Sequence, residues 1–307
     1  MLPAYSNSIL IVVGILSGVL GGMGAGSGVF IVPMLVLLLL LPVKIAVGIS
    51  LVCTLMVSIV GTVVYHRQGM INYRLGTYLQ LFMGVGALLG GFLIPYLQGW
   101  MITALFAVVL GYLSIAGFLT QKMDDQRIHA GKFSFYPQAN LMRVFNGSYL
   151  DKAASSQVEY AVRRPVFGAA IAVLGGAIAA VLGAGSGILM IAVMNQFMNV
   201  PVKPAVATSR LIIGVTSIIA FFPYMSRVLR VSNLLWPVVV GTGIGTLIGA
   251  GLMNRCRSRW IKLLASILMG YLAVRMLFRT YHVILSQGWI ITQHWLIVAQ
   301  ACNLCSK

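Results

Sequence analysis

The chain's apolar residues come in runs as long as a bilayer is thick. Crossing the hydrocarbon takes roughly 20 apolar residues in helical form. Ser8–Leu41, Ile45–Val64, Leu75–Leu97, Trp100–Leu119, Val166–Val200, Pro204–Tyr224, Asn233–Met253 and Trp260–Phe278 all qualify. Inside lipid a helix satisfies its own backbone groups segment by segment. Because the runs spread along the whole chain, they predict an all-α polytopic membrane protein. Charge supports this: 8% of the 307 residues are charged, against roughly 25% in soluble domains. Met1–Ser8 lacks the basic start of a cleavable signal peptide.

The net charge of +17 would suit a nucleic-acid partner. However, Lys and Arg concentrate between the apolar runs, as the positive-inside bias requires. The expected partner is therefore the lipid bilayer, and no nucleic acid is expected. Asp124, Asp125, Asp151 and Glu159 are the only carboxylates, and all lie between Thr120 and Arg164. A carboxylate proton relay inside the membrane is thereby excluded. So are paired-carboxylate catalysis and an acidic metal site in the core. No enzyme activity, cofactor or metal is expected. Cys302 and Cys305 have C-x-x-C spacing, but one pair without a second is a weak redox or metal signal.

The run Ser8–Leu41 is too long for one crossing. As a single helix it would be about 51 Å long, against a hydrocarbon core of about 30 Å. The glycine-rich stretch Gly21–Gly28 offers a break, leaving two short or half-spanning helices. The core of that stretch, Gly24-Ala25-Gly26-Ser27-Gly28, recurs as Gly183-Ala184-Gly185-Ser186-Gly187. In the register that lays Gly24 on Gly183, 11 of the 27 positions in Gly24–Ser50 match Gly183–Ser209, including Pro42-Val43-Lys44 on Pro201-Val202-Lys203. The same register, without a gap, lays Gly84, Gly86 and Gly90 on Gly243, Gly245 and Gly249, and Gly111-Tyr112-Leu113 on Gly270-Tyr271-Leu272.

The chain therefore divides into a first transmembrane repeat (1–119), a cytoplasmic linker (120–166), a second transmembrane repeat (167–280) and a C-terminal tail (281–307). Each repeat has about five membrane segments, the first pair short or re-entrant around its glycine break. An odd number of crossings inverts one repeat relative to the other, as in secondary transporters. With the linker inside, inversion puts 14 Lys and Arg inside, among them Arg67, Arg74, Lys203 and the Arg255–Lys262 group. Six lie outside: Lys44, Arg227, Arg230, Arg275, Arg279 and Lys307. This is the expected bias.

A broken helix is tolerated in a membrane only where protein or a water-filled cavity surrounds it. It also frees backbone N–H groups at a positive dipole end, which suits a small anion. The candidate binding residues are accordingly Gly24, Gly26, Ser27, Gly28, Gly183, Gly185, Ser186 and Gly187, with Ser27 and Ser186 as helix N-caps. The alternative for these glycines is close helix packing, which is the better account of the later rows such as Gly84, Gly86 and Gly90. Arg210 lies within a span and is either a ligand for the anion or snorkels to the interface. The hydroxyls of Ser50, Thr208 and Ser209 either face the anion or bond back to their own helix. Asn195 either faces a cavity or joins helices. Trp100, Trp236 and Trp260 suit interface anchors.

The glycine-rich break, Pro33, and "PVKIAVGIS" with its copy "PVKPAVATS" resemble the sulfite exporter TauE/SafE family, also called the 4-toluene sulfonate uptake permease family. The resemblance covers the chain except the linker and the tail after about residue 280. It implies a multi-pass permease of a bacterial-type inner membrane for sulfite, an organosulfonate or a related sulfur-containing anion. The two copies differ in three places: Ala192 matches Pro33, Asn195, Gln196 and Asn199 make the second short helix polar, and Arg210 matches Leu51. The competing function is a membrane-embedded assembly or scaffold protein, in which the breaks serve packing only. A homodimer is left open.

Overall fold

The computed structural model describes residues 7–129, 142–151, 156–183, 187–253 and 266–281. The protein is mostly helical. The first half contains α1 (Asn7–Leu20), a π-helical turn (Gly21–Ala25), α2 (Ser27–Leu37), α3 (Val43–Arg67), α4 (Tyr73–Leu93) and α5 (Gly99–His129). The second contains α6 (Pro165–Leu182), α7 (Gly187–Gln196), α8 (Val202–Phe221), α9 (Met225–Leu229), α10 (Ser232–Met253) and α11 (266–281). The register of the duplication carries α1 to α4 onto α6, α7, α8 and α10. Among the described residues, five helices are long and apolar enough to cross a membrane: α3, α4, α6, α8 with its continuation to Leu229, and α10. Their outward faces carry large apolar side chains such as Leu81, Phe92, Leu174, Trp236 and Leu247. A surface of that kind belongs against lipid.

One departure from an all-helical chain lies in the linker. Strands β1 (Gly147–Asp151) and β2 (Ser156–Tyr160) pair antiparallel, Gly147 opposite Tyr160. Asn72 fastens this ribbon to the bundle. Its side chain caps α4 by accepting from the Leu75 N–H at 3.1 Å, and donates to the Phe145 carbonyl at 2.8 Å and the Tyr160 hydroxyl at 3.2 Å. Burial pushes the Tyr160 phenol's pKa up, and the bond from Asn72 offsets part of that rise. The polar linker carries no sequence sign of the ribbon, because its apolar alternation is too short to stand out. Helix α5 also runs on through the polar residues after Leu119 to His129. The Arg255–Lys262 group, Cys302 and Cys305 lie outside the described residues.

Close backbone approaches give the helix directions. A Cβ on Gly14, Gly18 or Gly22 would strike Val238, Thr242 and Thr246 in that order, so α1 runs parallel to α10. Gly86 and Gly90 meet Val173 and Ala177, so α4 runs parallel to α6. In both pairs glycine lets two backbones touch, the main source of helix adhesion where no hydrophobic effect operates. The later glycine rows are thus packing positions. By contrast, α3 and α8 cross antiparallel: Gly48 meets Tyr224 and Val228, while Gly61 meets Arg210.

These directions make each broken segment a hairpin. Helix α1 starts beside α10's first residues, at the end of the bundle where α3 begins, and α2 returns there through the short 38–42 loop. Helix α6 starts at the opposite end, and α7 returns to that end before α8 begins. The glycine breaks form the two hairpin tips. The first break lies inside the bundle, where Tyr65 of α3 and Arg210 of α8 reach it, and the described ends of the second, Gly183 and Gly187, lie against α3 and α8.

Charge sorts with these ends. Arg67, Arg74, Arg163, Arg164 and Lys203 flank the helix ends beside the ribbon, whereas Lys44, Arg227 and Arg230 flank the other. Labelling should report this arrangement. In a protein with its native cysteines replaced by alanine, a cysteine at exposed Arg67 should react with an impermeant reagent only from the cytoplasm, and one at exposed Arg230 only from outside. Equal reaction of both from one side would overturn the expectation that the two repeats are inverted.

Candidate functional site

The first tip is the π-helical turn Gly21–Ala25 that follows α1. Two side chains bond its carbonyls. The Tyr65 hydroxyl, from the last turns of α3, donates to the Gly22 carbonyl at 3.1 Å. The Arg210 guanidinium, from α8, donates to the Gly21 carbonyl. Arg210 is 2% exposed and lies along Gly61 of α3. Its side chain points into the bundle and does not snorkel. Among the described residues its Nε has no hydrogen-bond partner. No Asp or Glu occurs in the chain before residue 124 or after 159, so no carboxylate from the apolar spans neutralises it.

Gly26 follows with φ +77° and ψ +106°, a conformation that side chains other than hydrogen avoid. It occupies the N-cap of α2, and this corrects the expectation for Ser27. A cap at that backbone angle must be glycine, so Ser27 becomes the first residue of the helix. Its hydroxyl lies 3.5 Å from that of Thr54 on α3. Gly24, Gly26, Ser27 and Gly28 therefore surround the start of α2, next to Gly21 and hence to Arg210. A guanidinium, three hydroxyls (Ser27, Thr54 and Tyr65) and a helix N-terminus share one buried neighbourhood. All of them favour negative charge.

The second tip is built from matched parts. Tyr224 is the counterpart of Tyr65 in the duplication. Its hydroxyl donates to the Ala180 and Val181 carbonyls, each at 3.2 Å. Gly183 caps α6 in the left-handed conformation, φ +64°. The Ser50 hydroxyl bonds across the halves to the Gly183 carbonyl at 2.6 Å and back to Val47 at 2.9 Å. Gly187 opens α7 against Ile213, the counterpart of Thr54. Gly185 and Ser186 lie outside the described residues.

The remaining candidates are held elsewhere. The Thr208 hydroxyl accepts from the Asn72 backbone N–H at 3.1 Å, tying α8 to the α3–α4 turn. Ser209 bonds back to Val206 at 2.8 Å, as a hydroxyl within its own helix does. Asn195 donates to the Val200 carbonyl at 3.1 Å and closes the turn after α7.

The halves differ where Arg210 matches Leu51. Leu51, Ser217 and Ala220 line an apolar crevice with Met83, Ala179, Ile213 and Thr216. Their counterparts in the other half are Arg210, Ser58 and Gly61: the Ser58 hydroxyl bonds the Arg210 backbone carbonyl, and Gly61 lies along the Arg210 side chain. The matched position is thus charged in one half and apolar in the other. Tyr65, Tyr224 and Thr54 escaped the sequence reading, because lone polar residues in apolar helices carry no local pattern. The matched register of the two tyrosines was the available signal.

The family model described as Sulfite exporter TauE/SafE matches residues 10–276. The chain belongs to the TauE/SafE family. Its role is therefore membrane transport of the sulfite-type anion class, and a transporter family rather than an enzyme family claims it. The matched region takes in both hairpins and every helix from α1 to α10. Searches of curated proteins and of solved structures returned no significant match.

Proposed function

We propose that this TauE/SafE protein is a secondary permease for a small sulfur oxyanion, sulfite or an organosulfonate, in the inner membrane with its 120–166 linker in the cytoplasm. Arg210 is the principal ligand, with Ser27, Thr54 and the N-terminus of α2 around it. The supporting observation is the buried Arg210 guanidinium with an unpartnered Nε and no carboxylate. The second tip serves as an internal control. There the Tyr224 hydroxyl bonds both matching carbonyls, Ala180 and Val181, without any charge, so a cation is not needed to hold a broken helix. Its charge at the first tip suits a ligand.

Transport proceeds by alternating access between inverted repeats. Supporting this, helices α3 and α8 are counterparts by sequence yet cross antiparallel, as a two-fold axis lying in the membrane plane demands. The hairpins also enter from opposite ends. The remaining candidates within the described residues, Ser50, Thr208, Ser209, Asn195, Gly183 and Gly187, frame the path rather than hold the charge. A thermal-shift experiment tests the reading: sulfite or a sulfonate that binds the folded protein must raise its melting temperature. No stabilisation by any member of a sulfite, sulfonate and sulfoacetate panel would refute it.

Coupling follows from the same composition. With Asp124, Asp125, Asp151 and Glu159 all in or beside the linker, none serves as an intramembrane relay. Replacing each in turn by its amide should leave the pH profile of uptake into proteoliposomes unchanged. A profile lost in any one of the four variants would contradict this.

A further inference from the structure

Tyr65 and Tyr224 do more than fill space. They are counterparts in the duplication, Tyr65 on α3 and Tyr224 in the turn Phe222–Tyr224 that continues α8, and they are 1% and 0% exposed. Each turns its hydroxyl to carbonyls at matched positions: Gly22 for Tyr65, and Ala180 with Val181 for Tyr224. Because α3 and α8 are antiparallel, the two bonds lie toward opposite ends of the bundle. Tyr65 lies toward the end that carries the ribbon, and Tyr224 lies beside Gly48 near the start of α3. From Ser50, which bonds the second tip, to Tyr65, which bonds the first, α3 rises about 22 Å. Each hairpin tip is therefore fastened beyond the bundle's centre, on the side opposite to its entry.

We infer that the two tyrosines are positioning residues that act as a matched pair of latches, Tyr65 closing the path at the ribbon end and Tyr224 closing it at the other. This rests on the alternating-access reading. Releasing one hydroxyl frees one tip and opens one side, and releasing both restores the balance. A tyrosine that merely satisfied a carbonyl would lower stability without preferring a side.

The experiment uses the full chain with native cysteines replaced by alanine and a single reporter cysteine at Val57, which is 0% exposed and lies on α3 between Ser50 and Tyr65. Its reaction rate with an impermeant thiol reagent is measured from each face of oriented vesicles. Tyr65→Phe should raise the rate from the ribbon face, and Tyr224→Phe the rate from the opposite face. Each should rise about fivefold, the population shift one hydrogen bond is worth. The double variant should return the ratio to that of the parent. Difluorotyrosine at position 65, a stronger donor of nearly the same shape, should move the ratio the other way and covers failure of a Phe variant to insert. Equal effects on both faces, or none, would overturn the latch assignment if sulfite still changes the parent's labelling. If sulfite changes neither labelling nor stability of the parent, the transport reading itself fails instead.

Discussion

Replacement of Arg210 by Gln should abolish most anion binding while leaving the protein folded. A charge-assisted hydrogen bond in a dry site is worth about 1.5–3 kcal/mol, which corresponds to a loss of roughly ten- to a hundredfold in affinity. The bond to the Gly21 carbonyl survives in part, because the Gln amide is also a donor. Arg210→Lys should recover only some of the affinity. A guanidinium meets two oxygens of an SO₃⁻ group in its own plane, whereas an ammonium meets them as a point charge. Leu51 occupies the matched position in an apolar crevice, so Leu51→Met should leave affinity unchanged. Titration calorimetry with sulfite and a sulfonate reads all three. Undiminished affinity in Arg210→Gln would remove this residue from the site and leave the start of α2, Ser27 and Thr54 as the contacts.

Side chains at the hairpin tips should cut transport sharply. A Cβ at Gly183 would lie 2.6 Å from the Ser50 hydroxyl and 2.7 Å from the Val47 carbonyl, at a φ of +64°. At Gly26, φ of +77° places any larger residue in a strained backbone state, which costs on the order of 1–3 kcal/mol. Gly183→Val and Gly26→Val should each lower uptake by roughly tenfold or more, the factor that about 1.4 kcal/mol represents. Gly86→Ala and Gly245→Ala would also clash, but with neighbouring helix backbones. Their effect should appear in melting temperature first. Normal uptake by Gly183→Val protein would take the second tip out of the mechanism.

Much of the fold was legible because lipid imposes simple rules. Run length declared the five helices long and apolar enough to cross. The mismatch between the run Ser8–Leu41 and one bilayer thickness declared the break, and the constant register between Gly24 and Gly183 declared the matching halves. The site was legible only in part. Gly26 and Arg210 stood out locally, one as a helix breaker and the other as a charge among apolar neighbours. Thr54, Tyr65 and Tyr224 did not, since their roles depend on another helix. Ser209, Thr208 and Asn195 looked equivalent to Ser50 in sequence. In space they bond to Val206, the α3–α4 turn and Val200, and Ser50 alone among them reaches a tip.

By itself, the sequence determined a multi-pass helical membrane protein with duplicated halves, no carboxylate in its spans and two glycine interruptions. Composition, hydropathy and register are one-dimensional quantities, and the bilayer converts them directly into spans. Tertiary structure alone decided that α3 and α8 cross antiparallel, that both broken segments fold back as hairpins, and that Arg210 points inward to the end of α1. Those facts depend on which backbones touch. In a membrane that is settled by close packing of small residues and by the need of every exposed carbonyl for a donor. A donor as distant along the chain as Arg210 is from Gly21 leaves no trace in local sequence.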